Sequence, residues 1–512
     1  MVGGLRKDGP VEPGDPHVLR QRIAALEAQL AVVLRRLTDL EVENVALRAE
    51  NAALKTKIAS LEKNSSNSSK PPSSDIVKPP ASSASTGHGK AGGKIGGQPG
   101  HPRHEREDLP PEQVDRFERH ALTCCPGCGG PVRQTDHVTA RLQQMELVEV
   151  PVEVREHQAM RAWCPRCRKH HDATLPEPVK KAGLLGVRLT ALLGWFKSQG
   201  HDSYSVMAEF LRDVAGRSVS RGMLAKAIQK VSAALADPYA ALTEALVRQE
   251  RLNVDETGHS ENKQRMWTWV FRAERFTVFH IDSSRGSEVL VKMLGDEFSG
   301  TLGCDYFSAY RKYMGSRPQV LTQFCLAHLI RDLKFVTTLP DPAAARWGHH
   351  MLAGMRRLFG VIHRRDRMTD AAFDHAMTKA RGGRMTDAAF SRAMTRARDA
   401  LLNRARRGPP RREVQNLIAR FAKHGDAYFR FVTTPGVAPT NNLAEQALRC
   451  VVIDRRLTQG TRSPRGRQWC QRVWTAAATC RQQTRSFFTY LHDTLHAAFE
   501  NRPTPALLPT KP

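Results

Sequence analysis

The sequence predicts a multidomain α/β protein with a coiled coil near its N-terminus. Its 512 residues exceed the size at which a single hydrophobic core keeps growing. An apolar seven-residue repeat fills the N-terminal part, and a strand–strand–strand–helix–strand pattern begins near residue 250. Two Cys-x-x-Cys pairs lie between these regions. The chain is therefore expected to contain several domains of different types.

The composition favours a polyanionic partner. Lys and Arg number 78 against 51 Asp and Glu, which gives a net charge of +27 with His neutral. Such an excess attracts nucleic acid, and an anionic membrane surface is the competing partner. The sequence has no long apolar run and no apolar signal-peptide core, so we expect no membrane span and a cytoplasmic protein. The ten Cys suit metal binding in a reducing compartment better than disulfides.

Residues 17–62 carry the heptad pattern of a leucine-zipper coiled coil. Apolar residues recur at a and d, and Asn44 and Asn51 occupy two a positions, which favours two parallel strands. Charges at the flanking positions pair attractively across a parallel homodimer, as in Glu43 with Arg48. A heterodimer or a helix that folds back on its own chain are the alternatives. A basic-zipper factor is disfavoured because residues 1–18 lack a basic helix.

A change in composition marks residues 63–103. They are rich in Ser, Pro, Gly and Lys and cannot form a core. We interpret them as a flexible linker, which is either a plain tether or a tether that also contacts phosphates.

Two cysteine pairs in residues 104–178 predict a zinc ribbon. A strand-like alternating segment joins the pairs, and the Pro and Gly inside them favour tight turns that aim both sulfurs at one ion. A redox Cys-x-x-Cys is the alternative, and His170 or His171 could replace a sulfur ligand. The predicted structural zinc ligands are Cys125, Cys128, Cys164 and Cys167.

Residues 179–248 are predicted to be helical. The break at residues 215–221, with Ser220 as a plausible N-cap, resembles a helix-turn-helix. DNA reading by this pair and simple helical packing fit the pattern equally well.

Residues 252–258 combine an apolar strand pattern with two adjacent carboxylates. Alternation along a strand places Asn253 and Asp255 on one face and Glu256 on the other. Asp255 is therefore the better candidate for a site that faces solvent. Taken alone, the pattern also fits an exposed strand end where acids and Gly form a turn. Asp305 ends a later predicted strand, where a turn Asp is again the simpler interpretation.

Residues 341–438 are predicted to form a basic helical insertion. It contains a duplication in which residues 367–381 recur at 384–398, with 12 of 15 positions identical and an offset of 17. Two copies are too few for a solenoid. We interpret the duplication as a local event without catalytic meaning.

Two short motifs flank this insertion. Residues 319–325 are predicted to form a fifth short strand that leads into a helix. Cys325 and His328 open this partly apolar helix, where packing is favoured over metal binding. Asn442 and Glu445 have capping-box spacing at the start of residues 439–500, and Glu445 with Arg449 forms an i, i+4 pair. Further helices are predicted up to about residue 498.

Taken in order, these motifs resemble the transposases of the bacterial insertion-sequence-66 family. The resemblance covers most of the chain and rests on the zipper, the linker segments, the two cysteine pairs, Val254-Asp-Glu-Thr257, Cys325-x-Ala-His328 and Asn441-Asn-x-Ala-Glu445 with Arg449. It implies a ribonuclease H-like α/β catalytic core that begins at residues 249–340. The catalytic acids implied are Asp255, Asp305 and Glu445, which would bind Mg²⁺ or Mn²⁺.

The resemblance also implies the reaction and the partners. The enzyme would cut DNA at the terminal inverted repeats of its element and join the freed 3′-hydroxyl to target DNA, close to the bacterial nucleoid. Small accessory proteins of the element are implied partners. The basic residues expected to contact DNA are Arg449, Arg455, Arg456 and Arg462.

Physical chemistry supports this trio of acids. In-line displacement at phosphorus is assisted by two hard divalent cations, which prefer carboxylate oxygens. Two other functions stay open, namely a DNA-binding regulator without catalysis and a nuclease that cuts without joining.

Overall fold

The computed structural model describes residues 16–61, 108–134, 151–366 and 387–508, with scattered positions between 135 and 150. The predicted linker and the first copy of the duplication lie outside these residues. Two compact units are present. Among the described residues, the helical unit contains residues 108–238 and 484–506, and the sheet unit contains residues 16–61, 239–366, 387–483 and 507–508.

The heptad segment forms one long helix, α1 (Pro16–Leu61). The side chains at its a and d positions are exposed along its length, including Leu26, Leu30 and Leu54. The predicted helix is thus confirmed. Its pairing with a second helix stays a prediction.

The helical unit begins with a small hairpin. Strands β1 (Arg161–Cys164) and β2 (Lys169–Asp172) pair antiparallel around the second cysteine pair. Four helices follow, and they confirm the predicted helical segment: α2 (Glu177–Ala182), α3 (Val187–Trp195), α4 (Tyr204–Asp213) and α5 (Arg221–Ala234). Ser220 is the N-cap of α5, since its side chain accepts a hydrogen bond from Met223 N.

The C-terminal helical region divides between the units. Helix α16 (Phe487–Phe499) packs against α2, α3 and α5 in the helical unit. Its buried residues include Leu491 and Leu495, which lie on one face four residues apart. The sequence predicts residues 439–500 as one segment, whereas the chain returns to the helical unit at residue 484.

A five-stranded mixed sheet forms the centre of the sheet unit. Its strands are β3 (Arg251–Glu261), β4 (Gln264–Arg272), β5 (Thr277–Asp282), β6 (Thr301–Cys304) and β7 (Leu321–Phe324). The order is β5-β4-β3-β6-β7. The first three strands are antiparallel, and β6 and β7 run parallel to β3. The α/β class predicted from the sequence is confirmed.

Strand β3 extends beyond the predicted turn. The pairing with β4 continues from Asn253 to Glu261, and the reversal comes at Asn262 and Lys263, which both have positive φ. Two consecutive residues of that kind suit a tight hairpin turn. The interpretation of Gly258 as a turn residue was therefore wrong, since Gly258 lies within the strand.

A helix protects the open edge of the sheet. Helix α15 (Pro464–Gln482) lies along β5, and its side chains at four-residue spacing accept backbone N–H groups of alternate strand residues. Thr479 pairs in this way with Thr277, and Thr475 with Phe279. Gln471 completes the series at Ile281. These bonds occupy donors that an edge strand otherwise exposes.

Helices surround the rest of the sheet unit. Helix α6 (Ala236–Ala245) precedes β3, and α7 (Ser287–Leu294), α8 (Ser308–Gly315) and α9 (Leu326–Thr337) connect or follow the later strands. The predicted insertion is helical, with α10 (Pro342–Asp366), α11 (Asp387–Ala405), α12 (Arg412–Tyr428) and α13 (Arg430–Thr433). Helix α14 (Asn442–Thr458) then packs on β3 and β4.

Candidate active site

Two neighbouring parallel strands bring Asp255 and Asp305 to the same level of the sheet. Asn253 of β3 pairs with Gly303 of β6. Continuing this register by two residues places Asp255 beside Asp305, which directly follows β6. Neighbouring strands are about 4.8 Å apart, and residues two apart share a face. The two carboxylates therefore lie side by side on one face of the sheet.

The burial of β3 follows the alternation predicted from the sequence. Leu252, Val254 and Glu256 are buried, whereas Asn253 and Asp255 are partly exposed. Asp255 accepts a hydrogen bond from the backbone N–H of Glu256, at 2.8 Å. Asp255 is therefore the more exposed of the two carboxylates, and its role as a metal ligand stays a prediction.

Glu256 is held within the core by two partners. Its Oε1 accepts from Arg285 Nε at 2.9 Å and lies 2.8 Å from Arg285 Nη2. Its Oε2 accepts from the Tyr310 hydroxyl. The Arg285 guanidinium also lies over the rings of Trp267 and Phe307. A buried carboxylate needs such pairing, so these contacts give Glu256 a structural role.

The surroundings of the two aspartates disfavour their ionised forms. Burial raises the pKa of Asp305 to about 7, and the charge of Glu256 adds to that rise. The Phe307 backbone N–H and Arg285 act in the opposite direction. The pKa of Asp255 is also raised, first by burial and then by the charges of Glu256 and Asp305. Such a pair favours a bound cation, because a nearby positive charge stabilises the ionised forms.

Asn441 fixes the start of the helix that carries the third acid. Its Nδ2 donates to Val254 O at 2.8 Å, and its Oδ1 accepts from Asn253 Nδ2 at 3.0 Å. Its backbone N–H donates to Cys325 Sγ at 3.1 Å. The side chain is 1 % exposed. Asn441 therefore ties the first turn of α14 to the acidic strand β3 and to the start of α9.

The predicted capping box is wrong. Asn441 rather than Asn442 occupies the N-cap position, and no side-chain cap bond forms there. The Asn441 side chain is used instead for the contacts with β3. Sequence spacing alone could not distinguish these uses of adjacent Asn residues.

Glu445 lies near the aspartates and beside two polar side chains of α9. Its charge contributes to the raised pKa of both Asp255 and Asp305. Its Oε1 is 3.7 Å from His328 Nδ1 and 3.8 Å from Arg331 Nη2. The three predicted acids thus interact electrostatically, while Glu445 is oriented towards α9.

The predicted DNA-contacting arginines differ in their surroundings. Arg449, Arg456 and Arg462 are exposed. Arg455 is partly buried and donates to Thr257 Oγ1, at 3.2 Å, and to the carbonyl oxygen of Gly258. Arg455 thus fastens α14 to β3.

The two cysteine pairs form separate knuckles. Cys164, Cys167 and His171 have potential ligand atoms within 4.8 Å of one another, and Cys125 and Cys128 are outside that group. Each knuckle is a tight turn, with Gly129 N donating to Cys125 O at 2.8 Å. The structural zinc site with four sulfur ligands stays a prediction.

Sequence reasoning assigned no role to Arg285 or Tyr310. The signal in the sequence was the alternation along β3, which places the Glu256 carboxylate on the buried face of the sheet. A carboxylate there requires a cation and a hydrogen-bond donor. Their positions on other elements could not be read from local patterns.

Comparison with known families identifies the chain. Residues 182–468 match the family described as Transposase IS66 family, which is more than half of the chain. The protein belongs to the IS66 transposase family. The match spans β3 to β7, all three candidate acids and the helical insertion of this IS66-family protein. Residues 15–107 match a family of unknown function, DUF6444. No curated protein matched the sequence.

No helix among the described residues of the IS66-family protein has the length and apolar character needed to cross a membrane. The family also implies the use of a divalent metal and the binding of DNA.

Proposed function

We propose that this protein is an insertion-sequence transposase that cuts DNA at element ends and joins the 3′-hydroxyl to target DNA. The observation that carries the proposal is the alignment of Asp255 and Asp305 on parallel strands of a mixed sheet. Glu445 starts from a helix that Asn441 anchors to the same strand. This arrangement supports a ribonuclease H-like core.

The proposed metal ligands are Asp255, Asp305 and Glu445. Mg²⁺ or Mn²⁺ fits them because their oxygens are hard ligands and their mutual repulsion is relieved by positive charge. Two such ions, when bound, supply activation of the attacking oxygen and stabilisation of the leaving oxygen. Glu445 would have to turn its carboxylate from α9 towards the aspartates. The Phe307 N–H and the Glu256 N–H meanwhile orient the two aspartates.

Exposed cations on α14 and after it support DNA binding. Arg449 and Arg456 lie on the helix that carries Glu445, and Arg462 follows its end. Such side chains pair with phosphates and position the backbone without reading sequence. Arg455 would contribute by holding this helix on β3 rather than by touching DNA.

The N-terminal helix is the proposed dimerisation element. Its exposed apolar seam suits a parallel homodimer, which would bring two copies of the enzyme to two element ends. Structural zinc at Cys125, Cys128, Cys164 and Cys167 and the small accessory proteins belong to the same proposal.

A strand-transfer assay on DNA that carries the element ends tests the function. Asp255→Ala, Asp305→Ala and Glu445→Ala should each lower Mg²⁺-dependent cleavage and joining by at least about 100-fold. Asp296→Asn is the matched control, because that carboxylate is 88 % exposed and pairs with Arg317. Wild-type cleavage without joining would identify a nuclease, and specific DNA binding without cleavage would identify a regulator. Joining retained by any of the three variants would refute the assignment.

A further inference from the structure

A second cluster of metal-ligand atoms lies beside the proposed active site. Cys325, His328 and Glu445 each place one ligand atom within 4.8 Å of the other two. The cluster combines a thiol, an imidazole and a carboxylate. Of these, only the carboxylate belongs to the site proposed for the DNA reaction.

The local fold brings these three groups together. Cys325 is the N-cap residue of α9 and His328 lies three residues later, so both project from the same side of the first turn. Glu445 reaches them from the first turn of α14. Asn441 holds the two helix starts together through its N–H bond to Cys325 Sγ.

Two of the three ligand atoms are buried without a hydrogen-bond partner. They are His328 Nδ1 and Glu445 Oε1. Their separation of 3.7 Å is too long for a hydrogen bond between them. Buried polar atoms are nearly always satisfied, so a pair left open and facing each other indicates a missing ligand.

We propose that Cys325, His328 and Glu445 form a binding site for a borderline-soft divalent metal such as Zn²⁺. Sulfur, imidazole nitrogen and a carboxylate oxygen are the ligands that Zn²⁺ takes, and three protein ligands with an open fourth position are a common arrangement. Mg²⁺ prefers an all-oxygen site and does not suit a thiolate.

The surroundings of the cluster are consistent with a metal ligand set. Binding would release the Cys325 thiol proton to solvent, and the Asn441 N–H would then donate to a thiolate. Arg331, at 3.8 Å from Glu445 Oε1, adds a positive charge but offers no ligand atom. The attraction of Zn²⁺ to the Cys325 thiolate and the Glu445 carboxylate would have to exceed its repulsion by Arg331.

Occupation of this site would compete with the DNA reaction. A metal bound there holds the Glu445 carboxylate towards α9 and away from Asp255 and Asp305. This consequence rests on the proposed function, whereas the metal binding itself does not. Zinc is therefore expected to inhibit strand transfer that Mg²⁺ supports.

Metal content measured on the full-length protein tests the binding. Wild type and variants are dialysed to equilibrium against Zn²⁺ with excess Mg²⁺, and bound zinc is counted by mass spectrometry. Cys325→Ser and His328→Gln should each hold about one zinc ion fewer per chain than wild type. Cys450→Ser is the matched thiol control, because Cys450 lies on the helix of Glu445 but outside the cluster, and its zinc content should equal that of wild type.

The outcomes separate this site from the other metal sites. Asp255→Asn should keep the full zinc content even though the proposed function predicts that it is inactive. Retention of wild-type zinc content by either Cys325→Ser or His328→Gln would overturn the proposal. In the strand-transfer assay, the zinc concentration for half-inhibition should rise about tenfold or more in His328→Gln.

Discussion

Replacing Asp305 with Asn should stabilise the metal-free protein at alkaline pH. The pKa of Asp305 is raised from 3.8 to about 7, chiefly by burial and then by the charge of Glu256. A rise of about 3 units corresponds to about 4 kcal/mol, which we take as an upper value because neighbouring charges relax together. Asn keeps an oxygen that can accept the Phe307 N–H bond seen at 2.8 Å.

The sign of the pH dependence follows from the direction of this shift. Below pH 3.8 the carboxyl is protonated in both states and contributes nothing. Between 3.8 and about 7 the unfolded chain loses the proton while the folded protein keeps it, so the free energy of unfolding falls as pH rises. Above about pH 7 the carboxyl is ionised in both states, so the free-energy cost of burying it no longer changes with pH. The advantage of Asp305→Asn should therefore be near zero at pH 4 and reach about 2–4 kcal/mol at pH 8.

Urea denaturation followed by tryptophan fluorescence measures this effect, since Trp269 is fully buried in the sheet. Asp282→Asn is the control of opposite sign. Burial alone would raise the pKa of Asp282, but the Ser284 N–H and Lys292 lower it to about 2, so its loss should destabilise. Added Mg²⁺ should stabilise wild type more than Asp305→Asn. Equal stability of the two proteins at pH 8, in the absence of metal, would refute the reasoning.

Substitutions at three further positions test the supports of the site. Glu256→Ala should destabilise by about 3 kcal/mol in the same denaturation assay, because it leaves Arg285 without its buried partner, and Glu256→Gln should cost less. Gly303→Ala should slow strand transfer, because its Cβ would lie 2.6 Å from Asn253 Nδ2 and displace that side chain; an unchanged rate would contradict this. Asn441→Ala should cost about 2 kcal/mol and lower the rate at saturating DNA, measured together by denaturation and single-turnover kinetics.

Periodicity predicted most of the sheet. The five strands and the two helices after β5 and β7 were all expected, because each is a short run with a clear apolar pattern. The end of β3 was misjudged, since acids and Gly beyond residue 254 have the composition of a turn. Pairing with β4 on one side overrides that local preference, and the chain reverses only where two residues adopt positive φ.

The alternation of side chains between the two faces of β3 was the most informative local signal for the site. It distinguished the accessible Asp255 from the buried Glu256, and Asp305 then follows from the parallel register of β6. Glu445 is different, because 139 residues separate it from Asp305 and its position depends on how α14 docks. Only the family resemblance connected it to the aspartates.

The position of α14 links the proposed active site to the proposed zinc site at Cys325, His328 and Glu445. One residue, Asn441, uses its side chain to hold β3 and its backbone N–H to hold Cys325. Glu445 lies one helical turn further on, with its Oε1 3.7 Å from His328 Nδ1, and its charge raises the pKa of both aspartates. In the proposed mechanism, a turn of this carboxylate exchanges one group of ligands for the other. Variants of Asn441 should therefore weaken zinc binding and the DNA reaction together, whereas His328→Gln should affect zinc binding more strongly.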